Sequence, residues 1–398
     1  MTVSFWLQGA APIYPRLAAA HRCEVAIVGA GLCGVSAALT LATAGVDVAV
    51  FEADQVAGRA TGRNAGFILQ GTAERYNRAC ALMGHDRARA VHQWSILNHE
   101  HIAQTIAEAR IDCGYRRRGS LQLAGSPEEE AELLESARML SEDGFAAEVV
   151  EGDALGQIYL DAGFKMGVIL PEDGEIHPAD FVRGAAAAAT RRGAQFFEQT
   201  TITTIEDASA GDVRLRTQSG HPVQCQLALV CTNARTSILL PWFQDKIDPV
   251  RGQMLATAPV PRIFERPIYA DHGYDYWRQD DAGRIILGGW RNLDPEQEIG
   301  LDDRLHPEIQ ERMTHFLSRF SALQDVEITH RWAGIMGFSR DGLPAVGPAP
   351  GAAGVLVGAG FTGHGFGFAW LAGHALAMVV LEGRHAFADQ FAPRRWSG

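Results

Sequence analysis

Residues 24–52 read EVAIVGAGLCGVSAALTLATAGVDVAVFE, and this stretch decides the fold. Residues 24–28 are a short apolar run, the pattern of a strand buried on both faces. Residues 35–44 are rich in Ala and Leu and favour helix, and Gly45 ends them. Residues 46–51 are a second buried strand closed by Glu52. The unit is strand, helix, parallel strand. Its first turn holds Gly29, Gly31 and Gly34 in the spacing G-x-G-x-x-G, which has meaning only after a strand and before a helix, as here. The first glycine makes the turn, and the second lets backbone approach a pyrophosphate seated on the helix N-terminus. Glu52 follows Gly34 by 18 residues, close to the spacing of about 20 for a carboxylate that accepts from ribose hydroxyls. A 2′-phosphate would be repelled there, which disfavours NADP and leaves NAD and FAD open.

The next segment, 58–66, reads GRATGRNAG. Arg59 and Arg63 are cations suited to a pyrophosphate, and the small residues admit a flat ring. Near the other end, 332–347 reads WAGIMGFSRDGLPAVG and 358–367 reads GAGFTGHGFG, directly before a final helix. That junction again offers backbone N–H groups at a positive helix end. The chain has 43 Gly in 398 residues, against an average usage of about 7%. Residues 29–66 and 334–367 hold 18 of them. The excess therefore sits in two backbone walls that allow close approach to one long cofactor.

The remaining composition is that of a soluble globular protein of two to three lobes, 47% hydrophobic and 21% charged. A net charge of −12 disfavours nucleic acid and anionic membrane as partners, because both need a basic face. Six Cys with no C-x-x-C spacing read as reduced thiols, and no metal-ligand set accompanies them. The N-terminal residues lack a basic, apolar leader pattern. The longest apolar stretch, 366–381, falls short of a membrane span, and the expected location is cytoplasmic. Helices are expected within 74–111 and over 128–143, 178–192 and 307–320. Strands are expected over 119–124, 195–206, 213–217, 227–231, 253–256, 274–278, 284–287 and 354–358.

Taken together, GAGLCG…FEAD, GRATGRNAG, IHPADFVRGAAAAATRRGAQFFEQTTI (176–202), ALVCTNA (228–234), RWAG…DGLPAVG and GAGFTGHGFGFA resemble the FAD-dependent D-amino-acid oxidase superfamily. The likeness is greatest to its branch of glycine oxidases, sarcosine oxidases and γ-glutamylputrescine oxidases. It implies an α/β fold: a doubly wound Rossmann-like FAD domain built from residues 20–80, 165–240 and 325–390. A smaller α+β substrate domain on an antiparallel sheet would come from 81–164 and 241–324. It implies that Glu52 binds the adenosine ribose and that Arg59, Thr61, Arg63, Asn64, Ala65 and Gly66 line the stretch from pyrophosphate to flavin. Ile202 falls beside the adenine, and Thr232 and Asn233 in the next cofactor turn. Gly337, Thr362, Gly363, His364 and Gly365 fall near the isoalloxazine.

Departures from the family bear on function. The residue matching the cysteine that tethers flavin in sarcosine oxidases is Gly334, so the FAD is expected to be non-covalent. The residue matching a carboxylate-binding arginine of glycine oxidases is Met336, and Arg291 in LGGWR is the candidate replacement. The residue matching an oxygen-activating lysine is Ile286. Phe67, Tyr274, Tyr276, Trp277, Trp290, Arg291, Trp332 and Met336 are candidates for the substrate pocket, with His364 nearby. The implied reaction moves a hydride from the carbon bearing nitrogen to flavin N5 and leaves an imine, with O₂ the acceptor. The substrate is a small amine or amino acid. A flavin dehydrogenase of a 2-hydroxy acid is the alternative, with His364 as its base, and a non-catalytic flavin- or NAD-binding protein is a third reading.

Overall fold

The structure, a computed structural model, describes residues 2–8, 14–209 and 211–397. The opening unit forms as its sequence dictates. Val25–Val28 and Val48–Phe51 are fully buried parallel strands joined by the Leu32–Thr43 helix. They are the centre of a six-stranded sheet. Its order is Ala345–Pro348, Val355–Ala359, Leu227–Val230, Val25–Val28, Val48–Phe51, Gln195–Phe197. All neighbours in it are parallel except the first pair. A four-stranded sheet lies apart from it and includes Ile202–Ser209, Asp212–Thr217 and Pro222–Cys225.

The expected strand over 195–206 is thus two strands in two sheets. The break at 198–201 is made by distant partners: the Glu198 carboxylate accepts from the Val56 N–H at 2.8 Å, and the Thr200 N–H donates to the Glu52 carbonyl. Gln199 turns the chain with φ 50°.

The third large sheet has eight strands, in the order Ile328–Ser339, Ile247–Thr257, Ile285–Gly289, Asp275–Gln279, Ile268–Ala270, Ser120–Leu123, Met166–Leu170, Glu148–Glu151. Every pair is antiparallel except Ile268–Ala270 with Ser120–Leu123. The WAGIMG segment, read only as glycine-rich, is the centre of a 12-residue strand paired residue by residue with Ile247–Thr257. Helices Tyr76–Met83, His85–Ala109 and Pro127–Glu142 form a layer joined to this sheet.

The helix Gly365–Glu382 is 18 residues long and apolar enough to cross a membrane by length and composition, which corrects the shorter span read from sequence. Its all-round apolarity is explained by packing. Residues 366–373 and 375–377 are buried, and the Ser36 hydroxyl of the first helix donates to the Trp370 carbonyl at 2.6 Å.

Candidate active site

One cavity of about 580 Å³ runs from the turn after Val25–Val28 to the eight-stranded sheet and beyond it. At its first end lie Gly29, Ala30 and Gly31, the start of the first helix, and Glu52. Gly34 is not in the wall but directly behind it. A Cβ on Gly34 would stand 1.9 Å from the Gly29 carbonyl oxygen, so only glycine lets the helix pack on the turn. One Glu52 oxygen accepts from the Ala30 N–H at 2.8 Å and the other from the Asp54 N–H at 2.8 Å. Burial pushes the Glu52 pKa above the ordinary carboxylate range, and these two N–H groups oppose the rise. Each oxygen keeps a lone pair for a further donor.

The GRATGRNAG loop crosses the middle of the cavity. Arg59, Thr61, Arg63, Asn64 and Ala65 are in the wall. Thr61 Oγ1 accepts from the Leu32 N–H at 3.2 Å and ties the loop to the helix start. Asn64 organises the loop, donating to the Ala60 and Thr61 carbonyls and accepting from the Gly66 N–H at 2.7 Å. Arg59 is ion-paired with Asp54.

Arg63, in the wall, is also tied to distant parts of the chain. Its guanidinium donates to Asp303 at 2.9 Å, the Ala333 carbonyl at 2.9 Å, the Gly58 carbonyl, and both the hydroxyl and the carbonyl of Thr2. A donor fork engaged in this way anchors the loop to Asp303 and the chain around it. Gly66, unlike Arg63, is outside the wall; its carbonyl accepts from the Ile176 N–H and from Arg278.

Ile202, Thr232 and Asn233 are in the wall. Asn233 has φ 46°, and its Oδ1 accepts from the Gly360 N–H at 2.9 Å, joining two cofactor turns. Thr362, Gly363, His364 and Gly365 are in the wall at the start of the Gly365–Glu382 helix. Gly337 is outside it, with its carbonyl accepting from the Thr362 N–H. His364 Nδ1 is buried without a partner. Burial, with the nearby Arg291 charge adding to it, pushes its pKa down to about 4, so the ring is neutral at pH 7.

Phe67, Tyr274, Tyr276, Arg291 and Met336 converge on the same cavity. Tyr269, overlooked in the sequence, joins them: its ring stacks on Tyr276 at 5.6 Å and meets Phe67 edge-on at 5.4 Å. The two tyrosines are register partners across the hairpin, symmetric about its Asp271–Gly273 turn, and that symmetry was the available signal. Burial raises both phenols, Tyr276 to about 12. The Arg291 guanidinium lies 4.5 Å from the Tyr274 ring and 5.0 Å from Phe338, with no carboxylate against it among the described residues.

Three expected pocket residues are elsewhere. Trp277 is in the core between Phe264, Phe316 and Phe320. Trp290 takes a left-handed backbone, φ 59°, which turns its ring onto Phe316. Trp332 is fully buried and donates to the Arg63 carbonyl from behind the loop.

Residues 24–378 match the family of FAD dependent oxidoreductases known as DAO. The chain belongs to this family. This FAD-dependent oxidoreductase is 26% identical to γ-glutamylputrescine oxidoreductase of Escherichia coli K12 over 387 residues, which cover 93% of this chain and 86% of that one. It is 26% identical to glycine oxidase of Bacillus licheniformis over 373 residues, covering 90% and 93%. Its fold superposes on the crystal structure of glycine oxidase from Geobacillus kaustophilus with a TM-score of 0.80 at 23% identity, covering 95% of this chain and all of that one. The oxidoreductase's residues fit FAD on their own chemistry. Glu52 offers acceptors at one end, the first helix begins in the wall, and an unpartnered His364 nitrogen stands at the other end.

Proposed function

We propose that the protein oxidises the C–N bond of a small amine or amino acid carrying a carboxylate, and that Arg291 holds this carboxylate. The observation carrying the reading is the Arg291 guanidinium, set between aromatic faces in the cavity wall with no acidic partner among the described residues. A fork of five donors without an internal acceptor suits a bidentate anion. FAD, when bound, supplies the two-electron acceptor for the C–H bond beside nitrogen. Phe67, Tyr276 and Met336 then wall the amine in apolar surroundings. Such surroundings lower an amine's pKa and favour the neutral, reactive form. Carboxylate and amine are thereby fixed at separate points, which orients the carbon between them.

Glu52, Thr61, Asn64, Asn233 and the turn at 362–365 are the proposed holders of FAD, which we take to be bound without a covalent link. A side chain at position 334 would meet Arg63, its Cβ lying 2.9 Å from the Arg63 Cβ. Of the six cysteines, Cys33 and Cys231 are in the cavity wall, and the hydrogen bond between them, with burial second, raises the Cys33 thiol well above its ordinary value. A protonated thiol is a weak nucleophile. O₂ is the proposed acceptor and the cytoplasm the proposed location. The hydroxy-acid alternative requires a base to take the hydroxyl proton as hydride leaves the carbon, and His364, pushed down to about 4 by burial, is a weak base for that proton.

The test is anaerobic bleaching of the flavin band by a panel of amines, amino acids and 2-hydroxy acids. Bleaching by carboxylated amines supports the reading. Bleaching by hydroxy acids alone, or by none of the nitrogen compounds, overturns it.

A further inference from the structure

The cavity does not end at the tyrosine pair. It continues past Gln70 and Gly71 into a chamber under the Tyr76–Met83, His85–Ala109 and Pro127–Glu142 helices, closed below by Met166–Leu170. Its wall is apolar and made of small or branched side chains, among them Ala79, Val91, Leu133, Ala137 and Leu140. All five are buried, yet space remains between them. Such a void forfeits dispersion contacts and destabilises a fold unless something fills it.

The charges at the outer edge are matched to one another. Arg75 pairs with Glu129 and with Glu132, and His272 lies 3.1 Å from Glu132. Within the chamber, two buried nitrogens lack partners among the described residues, Gln70 Nε2 and His92 Nε2. An occupant therefore meets mostly apolar carbon, with two nitrogens open to polar atoms.

We infer that this chamber is a substrate subsite for an alkyl chain of several carbons, with at most two polar atoms, borne by the molecule whose carboxylate Arg291 holds. The inference rests on that role of Arg291 and deepens it by naming the substrate class: amino acids with a long aliphatic side chain or N-alkyl group. Small amino acids would leave the chamber empty and forgo the burial.

The test reads binding, not turnover. Straight-chain carboxylates from acetate to octanoate are titrated into the FAD-loaded protein by calorimetry, with melting temperature as a second readout. Each methylene entering the chamber is expected to tighten Kd about fourfold, until the chamber is full. Ala137→Phe fills the chamber; it is expected to abolish the gain for hexanoate and octanoate and to leave acetate unchanged. Arg291→Gln is expected to weaken all lengths by the same factor. A wild-type Kd independent of chain length overturns the subsite, and so does Ala137→Phe binding octanoate as the wild type does. Should Ala137→Phe not fold, the wild-type series decides alone. Failure of amines to bleach the flavin would overturn the proposed reaction while a rising alkanoate series still stood. Absence of carboxylate binding at every length overturns both the Arg291 anchor and the subsite.

Discussion

Gly34→Ala is a one-methyl change whose cost follows from two distances. The new Cβ would lie 1.9 Å from the Gly29 carbonyl oxygen and 3.2 Å from Ile27 Cγ2. Ordinary contact is about 3.5 Å, so helix and turn must separate by roughly 1.5 Å. The adjacent Ala30 N–H donates to Glu52 at 2.8 Å, and a shift of that size takes the bond out of range. Overpacking costs about 1–3 kcal/mol, and a lost hydrogen bond to a carboxylate about 1.5–3. Taking about 3 kcal/mol for the two together, FAD affinity should fall at least ~100-fold, with a lower melting temperature. Flavin absorbance after gel filtration and fluorescence titration of the apoprotein measure it. Gly45→Ala is the control. It ends the same helix at φ +79° with nothing within 4 Å, so it should lose stability through backbone strain and still bind FAD normally. If Gly34→Ala retains FAD within threefold of wild type, the packing argument is wrong.

Arg291→Gln should raise KM for carboxylated amines by about 10–100-fold, the worth of a charge-assisted hydrogen bond, and leave kcat nearly unchanged. Equal losses with uncharged amines would remove Arg291 from carboxylate binding. Asp173 is fully buried, and burial first, opposed by the Ser120 hydroxyl and the Gln70 N–H, pushes its pKa up to about 7. The folded state thus favours the protonated acid. There is no penalty below about pH 4; it grows between 4 and 7 and is constant above. Asp173→Asn should then gain about 2–4 kcal/mol in urea unfolding at pH 8 and nothing near pH 4. Equal stability at both pH values would refute the shift. His364, held down to about 4, should give no ionisation between pH 5.5 and 8 in the kcat/KM profile. A limb near 6.5 that His364→Asn abolishes would show it titrates normally.

The sequence revealed what is local. The strand–helix–strand unit over 24–52 was legible because its apolar runs and glycine spacing are set within 30 residues. The roles of Arg63 and Glu198 were not, because they depend on partners far along the chain. Arg63 finds Asp303 and Ala333, and Glu198 finds Val56, and no periodicity carries that information. Trp290 was misplaced for a backbone reason. One left-handed residue turned its ring into the core and left its neighbour Arg291 in the cavity. Tyr269 was missed because the strand bearing it, Ile268–Ala270, is three residues long, too short for alternation to register.

The first residues of the chain hold the cofactor loop in place. The Thr2 hydroxyl accepts from the Ala333 N–H as well as from Arg63, and the Trp6 indole donates to the Asn64 carbonyl at 2.6 Å. Trp6 is almost fully buried. Thr2 and Trp6 therefore work as a latch on a loop some 60 positions downstream. Replacing Thr2 or Trp6 would act at the flavin site while leaving every wall residue intact.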